Sequence, residues 1–174
     1  MNKYLILFSV GKDRPGIVDD ISTLLYEHGA NIQDSRMAVM GGCFSSMTLF
    51  SCPSDRLEPI RKGLDGLRNL GLETSIHEAE GPKTTPEMAA LPLKIDVTAM
   101  DHPGIVQKIV HLLRNHNVNI LSLNTQVTQA PLSGAPLFGF TLEAAVPAEK
   151  PISRVKEALE AVAEEINLDL NFRS

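Results

Sequence analysis

The sequence predicts an α+β protein made of two copies of one βαββαβ unit. The first observation is an internal repeat: the segment Asp13–Val18 (DRPGIV) returns 88 residues later as Asp101–Val106 (DHPGIV). The match continues at the same offset, where Asn31-Ile32 corresponds to Asn119-Ile120. The second observation is the hydrophobic period, which alternates between that of a strand and that of a helix in the same order in both copies.

In the first copy, β-rich and helix-periodic segments follow one another with clear breaks between them. An apolar stripe from Ile17 to His28 predicts a helix that ends at Gly29, and Gly41-Gly42 predicts a tight hairpin. The predicted strands are Lys3–Val10, Asn31 to about Met40, Phe44–Ser51 and Glu73–Glu78, and the second helix is marked by Leu57, Ile60, Leu64 and Leu67.

The second copy repeats this order. Its first helix, from Ile105 to His116, ends at Asn117, a residue that tolerates the left-handed conformation, and a longer loop, 130–136, replaces the glycine hairpin. The predicted strands are Leu93–Ala99, Ile120–Gln129, Leu137–Val146 and Leu168–Phe172, and the last helix is marked by Ile152, Val155, Leu159, Val162 and Ile166.

The order βαββαβ, joined by right-handed crossovers, gives a four-stranded antiparallel sheet with two helices on one face, the ferredoxin-like arrangement. We therefore expect two tandem domains, residues 1–80 and 91–174. The segment 81–90, which begins Gly81-Pro82, is expected to be a linker. Domains of this size have thin cores, so we expect them to pack against each other or against a second chain, as in a homodimer.

Composition excludes several classes of function. The net charge is −5 and there is no block of lysine or arginine, which argues against direct binding of nucleic acid. We expect a cytoplasmic protein that binds no membrane, because there is no membrane-spanning run and no secretory signal. Cys43 and Cys52 are expected to be reduced thiols, and the histidines lack metal-ligand spacing, so no metal and no cofactor is expected.

The turn before each first helix is the candidate binding site. Asp13 and Asp101 are suited to cap the helix, Pro15 and Pro103 to its first turn, and Gly16 and Gly104 to a close approach of backbone. The alternative explanation for such residues is a strand-to-helix turn with a purely structural role. Asn31 and Asn119 favour the binding site, because asparagine is disfavoured in strands and yet stands at the start of the second strand in both copies.

These groups suit an α-amino acid. The backbone N–H groups and the positive end of the helix dipole attract its carboxylate, while the aspartate and asparagine oxygens accept from its ammonium group. A ligand as small as glycine or serine, the amino acids we favour, would bind with micromolar to millimolar affinity.

At these residues the chain resembles the ACT family of ligand-sensing domains. The resemblance covers both copies and so nearly the whole chain. It implies that amino acids bind where the first turn of one domain meets the second strand of a partner. By matching positions, it implicates Asp13, Pro15, Gly16, Ile17 and Asn31, and likewise Asp101, Pro103, Gly104, Ile105 and Asn119. Arg14 and His102 stand at equivalent positions beside them, and their difference predicts two unequal sites.

Because the two copies occupy the chain, the resemblance also implies a regulatory protein and not an enzyme, with no catalytic residues. Within the family the likeness is to a regulator of transcription that acts through a protein partner, itself in contact with DNA. A ligand-independent interaction module is the alternative, and a detached regulatory subunit of an enzyme of amino-acid metabolism is a further one.

Overall fold

The structure, a computed structural model, describes residues 2–81, 90–131 and 133–173 of the 174-residue chain. The chain divides into two compact units, residues 1–84 and 85–174. We call them the first and the second domain. Most of the predicted linker, residues 81–90, lies outside the described residues.

Both domains have the predicted element order. The first contains β1 (Asn2–Lys12), α1 (Ile17–Glu27), β2 (Asn31–Met40), β3 (Cys43–Pro53), α2 (Leu57–Asn69) and β4 (Leu72–Ala79). A short 3-10 turn, Ser54–Arg56, leads into α2. The second contains β5 (Ala90–Met100), α3 (Ile105–Asn115), β6 (Asn119–Gln129), β7 (Pro136–Pro147), α4 (Ile152–Glu165) and β8 (Asp169–Arg173).

Each domain has one four-stranded antiparallel sheet with the same topology. The strand orders are β2-β3-β1-β4 and β6-β7-β5-β8, so the first strand of each copy is central and the second is an edge. The edge strands share a register shift near their starts, between Ile32 and Asp34 and between Ile120 and Ser122. The ferredoxin-like fold predicted from the sequence is confirmed.

The core of each domain lies between its two helices and one face of its sheet. In the first domain, Leu5 and Leu7 of β1 pack with Ile17 of α1 and Ile60 of α2, and none of the four is more than 2% exposed. In the second domain, residues from β5, β7, α3 and α4 form the equivalent cluster. The predicted apolar stripes are the buried helix faces because residues three or four apart lie on the same side of a helix.

Residues with positive φ follow all four described helices. Gly29 (φ 69°) follows α1 and Asn117 (φ 54°) follows α3, as predicted. Gly71 and Asn167 follow α2 and α4 in the same way. The hairpin glycines Gly41 and Gly42 also have positive φ, which the tight turn between antiparallel strands requires.

Candidate functional site

The turn before each first helix is a type II β-turn, and the predicted aspartate N-caps are wrong. The residue before α1 is Gly16 (φ 89°, ψ −6°) and the residue before α3 is Gly104 (φ 98°, ψ −5°), and neither helix has a side-chain cap. These angles are those of the third residue of a type II turn, in which proline fits the second position. Pro15 and Pro103 therefore lie in the turn and not, as the sequence predicts, in the first turn of the helix.

Asp13 and Asp101 connect this turn to the end of the neighbouring hairpin. The backbone N–H of Asp13 donates to the carbonyl oxygen of Gly42 at 2.9 Å, and that of Asp101 donates to the carbonyl oxygen of Pro136 at 3.2 Å. The turn is thus held against the sheet by a backbone bond, while the carboxylate takes no part in capping the helix.

The first amide groups of α1 and α3 face outward from the helix. The first helical bond of α1 runs from the N–H of Asp20 to the oxygen of Gly16 (2.9 Å), and that of α3 runs from Lys108 to Gly104 (3.0 Å). The N–H groups of residues 17–19 and 105–107 precede these bonds and have no side-chain cap. They are available to an anion at the positive end of the helix dipole.

The two helix ends differ in charge. The first turn of α1 carries Asp19 and Asp20, and the Nη2 atom of Arg14 donates to Asp20 Oδ2 at 2.7 Å. The first turn of α3 has no acidic residue and contains Lys108, which pairs with Glu165 at 2.9 Å. The first turn of α1 therefore disfavours a carboxylate ligand more than the first turn of α3, because only α1 carries acidic side chains there.

A cavity of about 640 Å³ opens at the start of α3. Five predicted site residues of the second domain line it: Asp101, His102, Pro103, Gly104 and Ile105. Val106, Gln107, Val110 and Phe138 complete the lining. The Nδ1 atom of His102 lies 3.2 Å from the carbonyl oxygen of Pro103, which holds the ring beside the turn. The cavity thus combines open amide groups, one carboxylate and an apolar wall.

The first domain has a different cavity beside its first helix, of about 50 Å³. None of the turn residues 13–17 lines it. Its lining consists of Val18, Ile21, Ser22, Ile32, Ser35, Met37, Phe44, Ser46 and Thr48. Three of the hydroxyl residues stand where the second domain has larger apolar ones: Ser35 for Leu123, Ser46 for Phe140 and Thr48 for Leu142. No motif in the sequence marks these residues, but they differ between the two copies when the copies are compared position by position.

Asn31 and Asn119 do not join the turn of their own domain. Asn31 lies opposite Ser51, whereas Asp13 bonds to Gly42, nine residues before Ser51 in the chain. At about 3.3 Å per residue, that separation is roughly 30 Å. Asn119 and Asp101 are separated in the same way, because Asn119 lies opposite Ala145 and Asp101 bonds to Pro136. One small ligand cannot touch both halves of the predicted site within one domain.

Other kinds of site are absent from the described parts of the chain. Within them, no group of three or more His, Cys, Asp or Glu side chains is arranged to hold a metal ion. None of the helices there has the length and hydropathy needed to cross a membrane.

The sequence profile of the ACT domain family matches residues 3–77, which include every strand and helix of the first domain as far as His77 in β4. The first domain is thus similar to an ACT domain over residues 3–77. The second domain repeats its topology and the Asp-x-Pro-Gly turn, so the chain consists of two domains of the ACT fold.

Relatives resemble the chain over both domains. The glycine cleavage system transcriptional repressor of Escherichia coli (strain K12) is 28% identical over 166 residues, which is 94% of this chain and 86% of the repressor. Among solved structures, an unknown protein from Galdieria sulphuraria has a TM-score of 0.86 and 28% identity, over 99% of this chain and 98% of that one. A candidate glycine cleavage system transcriptional repressor has a TM-score of 0.71 and 22% identity, over 99% and 97% of the two chains, and supports the fold alone.

Proposed function

We propose that this protein is a non-catalytic regulator that senses a small amino acid, glycine or serine, at the start of α3 in its second domain. The observation that carries the proposal is the cavity lined by residues 101–105 in front of uncapped helix amides. The 28% identical Escherichia coli protein is a transcriptional repressor of the glycine cleavage system, which supports a role in regulation by an amino acid.

Each part of a bound amino acid has a complementary group in this cavity. The carboxylate accepts from the amides of residues 105–107 and is stabilised by the helix dipole. The ammonium group donates to the carboxylate of Asp101. Val106, Val110 and Phe138 form an apolar wall beside the side chain of the bound amino acid. The first domain is the weaker site, because Asp19 and Asp20 repel a carboxylate there.

Regulation requires that the ligand bind one state of the protein better than another. The acidic chain, with a net charge of −5, is poorly suited to hold DNA itself, so the response passes through a protein partner that contacts DNA. We place this activity in the cytoplasm, since the Escherichia coli relative acts on transcription.

Isothermal titration calorimetry with glycine and L-serine tests the proposal. We expect binding in the micromolar to millimolar range, because ligands of about five to seven heavy atoms cannot contribute more than about 1.5 kcal/mol per atom. Asp101→Ala is expected to weaken binding at least about tenfold, the loss of one charged hydrogen bond. Asp13→Ala is the matched control in the first domain and is expected to leave the affinity unchanged.

Two results contradict the proposal. No heat of binding with any of the twenty amino acids at about 10 mM would exclude sensing and favour a ligand-independent interaction module. Equal losses from Asp13→Ala and Asp101→Ala would contradict the assignment to the second domain. Far-UV circular dichroism of both variants checks that the fold is intact.

A further inference from the structure

The sheet of the first domain has an apolar face on the side away from its helices. Leu5 and Leu7 of β1 are buried under the helices, so Ile6, Phe8 and Val10 lie on the other side. We call this side the open face of the first domain.

Cross-strand neighbours extend this apolar character over the middle of the sheet. Ile6 lies opposite Leu49 and Phe8 lies opposite Met47 on β3. On β4, the other neighbour of β1, His77 packs edge-on against the ring of Phe8 on the same face, with 5.4 Å between ring centroids. Val10 is 43% exposed and Met47 is 46% exposed, so the first domain itself leaves this surface uncovered.

The second domain has charged and polar residues at the same positions. Lys94 and Glu143 replace Ile6 and Leu49, and their side chains form an ion pair at 2.8 Å. Where the first domain has the Phe8–His77 ring contact, the second has an ion pair between Asp96 and Arg173. Thr98 and Thr141 replace Val10 and Met47. The same sheet face is therefore polar in the second domain and apolar in the first.

Folding of the domain does not explain the apolar side chains on the open face of the first domain. The same topology forms with charges at these positions, so the apolar side chains of the first domain are not required for its core. A contiguous apolar patch on a soluble protein marks a surface that another molecule covers.

We propose that the open face of the first domain packs against the open face of a second copy of this chain, forming a two-fold symmetric dimer. Four strands spaced about 4.8 Å apart and paired over about eight residues present a face of roughly 19 by 26 Å, or about 500 Å². Two such faces packed over their full width, including the Asp34–Arg36 pair on β2, bury about 1,000 Å² of flat area, which is the lower limit for a specific interface.

The chemistry of the patch favours a second copy over a different partner. The residues of β1 and β3 at its centre are uncharged, and the charged side chains beside them on β2, Asp34 and Arg36, pair with each other. Apolar side chains of two like sheets interdigitate at the usual spacing of about 10 Å. A self-complementary patch of this kind forms a closed two-fold dimer and does not propagate into a fibre. The proposal is independent of amino-acid binding, since it uses the first domain and no residue of the ligand cavity.

Sedimentation velocity over about 1–200 µM protein tests the proposal. The substitutions place residues of the second domain at the equivalent positions of the first. We expect the wild type to sediment at twice the 18.9 kDa chain mass. The double variant Ile6→Lys/Leu49→Glu, which copies the Lys94–Glu143 pair, is expected to be a monomer over the same range. The control Tyr26→Lys changes a side chain that is 82% exposed on α1 and should remain a dimer.

A second, milder variant protects the test against misfolding. Val10→Thr/Met47→Thr alters two side chains that are already about half exposed and introduces no charge, and it should raise the dimer dissociation constant at least about tenfold. A monomeric wild type at about 200 µM would overturn the proposal and point to a different protein as the occupant. A dimer that persists in the folded variants would overturn it too, by placing the interface elsewhere.

Discussion

Replacing Gly16 with alanine measures the strain that the type II turn at the start of α1 imposes on a residue with a Cβ. Its φ of 89° lies in the left-handed region, which costs a residue with a Cβ about 1–2 kcal/mol. An added Cβ would meet only Arg14 Nη1, at 3.8 Å, an ordinary contact. The loss is therefore backbone strain alone, without a steric clash.

Gly66→Ala is the matched control in the same domain. Gly66 lies inside α2, has no positive φ, and leaves the position of an added Cβ with no atom within 4 Å. Alanine there is expected to stabilise the helix by about 1 kcal/mol, because glycine is a poor helix former. The two glycine-to-alanine changes therefore have opposite signs.

Differential scanning calorimetry of the whole chain provides the measurement. For a domain of this size, 1 kcal/mol corresponds to a shift of about 4–8 °C in the midpoint. We expect the transition of the first domain to fall by roughly 4–16 °C in Gly16→Ala and to rise by roughly 4–8 °C in Gly66→Ala. A Gly16→Ala protein as stable as the wild type would refute the assignment of a left-handed residue at this turn.

Four further predictions follow from burial and charge. Cys43 should react with iodoacetamide in the native protein while Cys52 stays protected, and burial raises the pKa of the Cys52 thiol. The contribution of Cys52 to the free energy of unfolding should therefore be complete below the unfolded thiol pKa of about 8.5 and should decrease above it. Urea melts of Cys52→Ala should lack this decrease. The Lys3 ammonium lowers the pKa of Glu78, so Lys3→Met should raise it in an NMR titration, and an unchanged value would contradict the ion pair. Ile109→Ala should destabilise the second domain by about 2–5 kcal/mol in urea melts, since the side chain is 0% exposed, and a loss below about 1 kcal/mol would contradict its place in the core.

The helix ends were predictable because they depend on neighbouring residues. Their tolerance of positive φ predicts Gly29 and Asn117 as helix ends, and both residues have positive φ in the structure. The same local chemistry predicts a side-chain cap at Asp13, and that prediction is wrong. The Pro15-Gly16 pair, a type II turn signal, places Gly16 next to the helix and leaves Asp13 too far back to cap it.

The unequal character of the two domains was predicted only in part. The difference between Arg14 and His102 indicated two unequal sites, but it did not show that Asp20 pairs with Arg14 or that the larger cavity lies at α3. Those facts depend on which side chains the folded chain brings within reach of the turn.

The sequence by itself determined the order of elements, the repeat and the buried helix faces, because periodicity and turn chemistry act between residues close in the chain. Tertiary structure alone decided that Asp13 and Asn31 lie roughly 30 Å apart, since strand direction and register place them at opposite ends of one sheet. It also decided which side of that sheet the helices cover, and so turned the alternation of Leu5, Ile6, Leu7 and Phe8 into one core and one open face. Register and packing join residues far apart in the chain, and no local pattern specifies them.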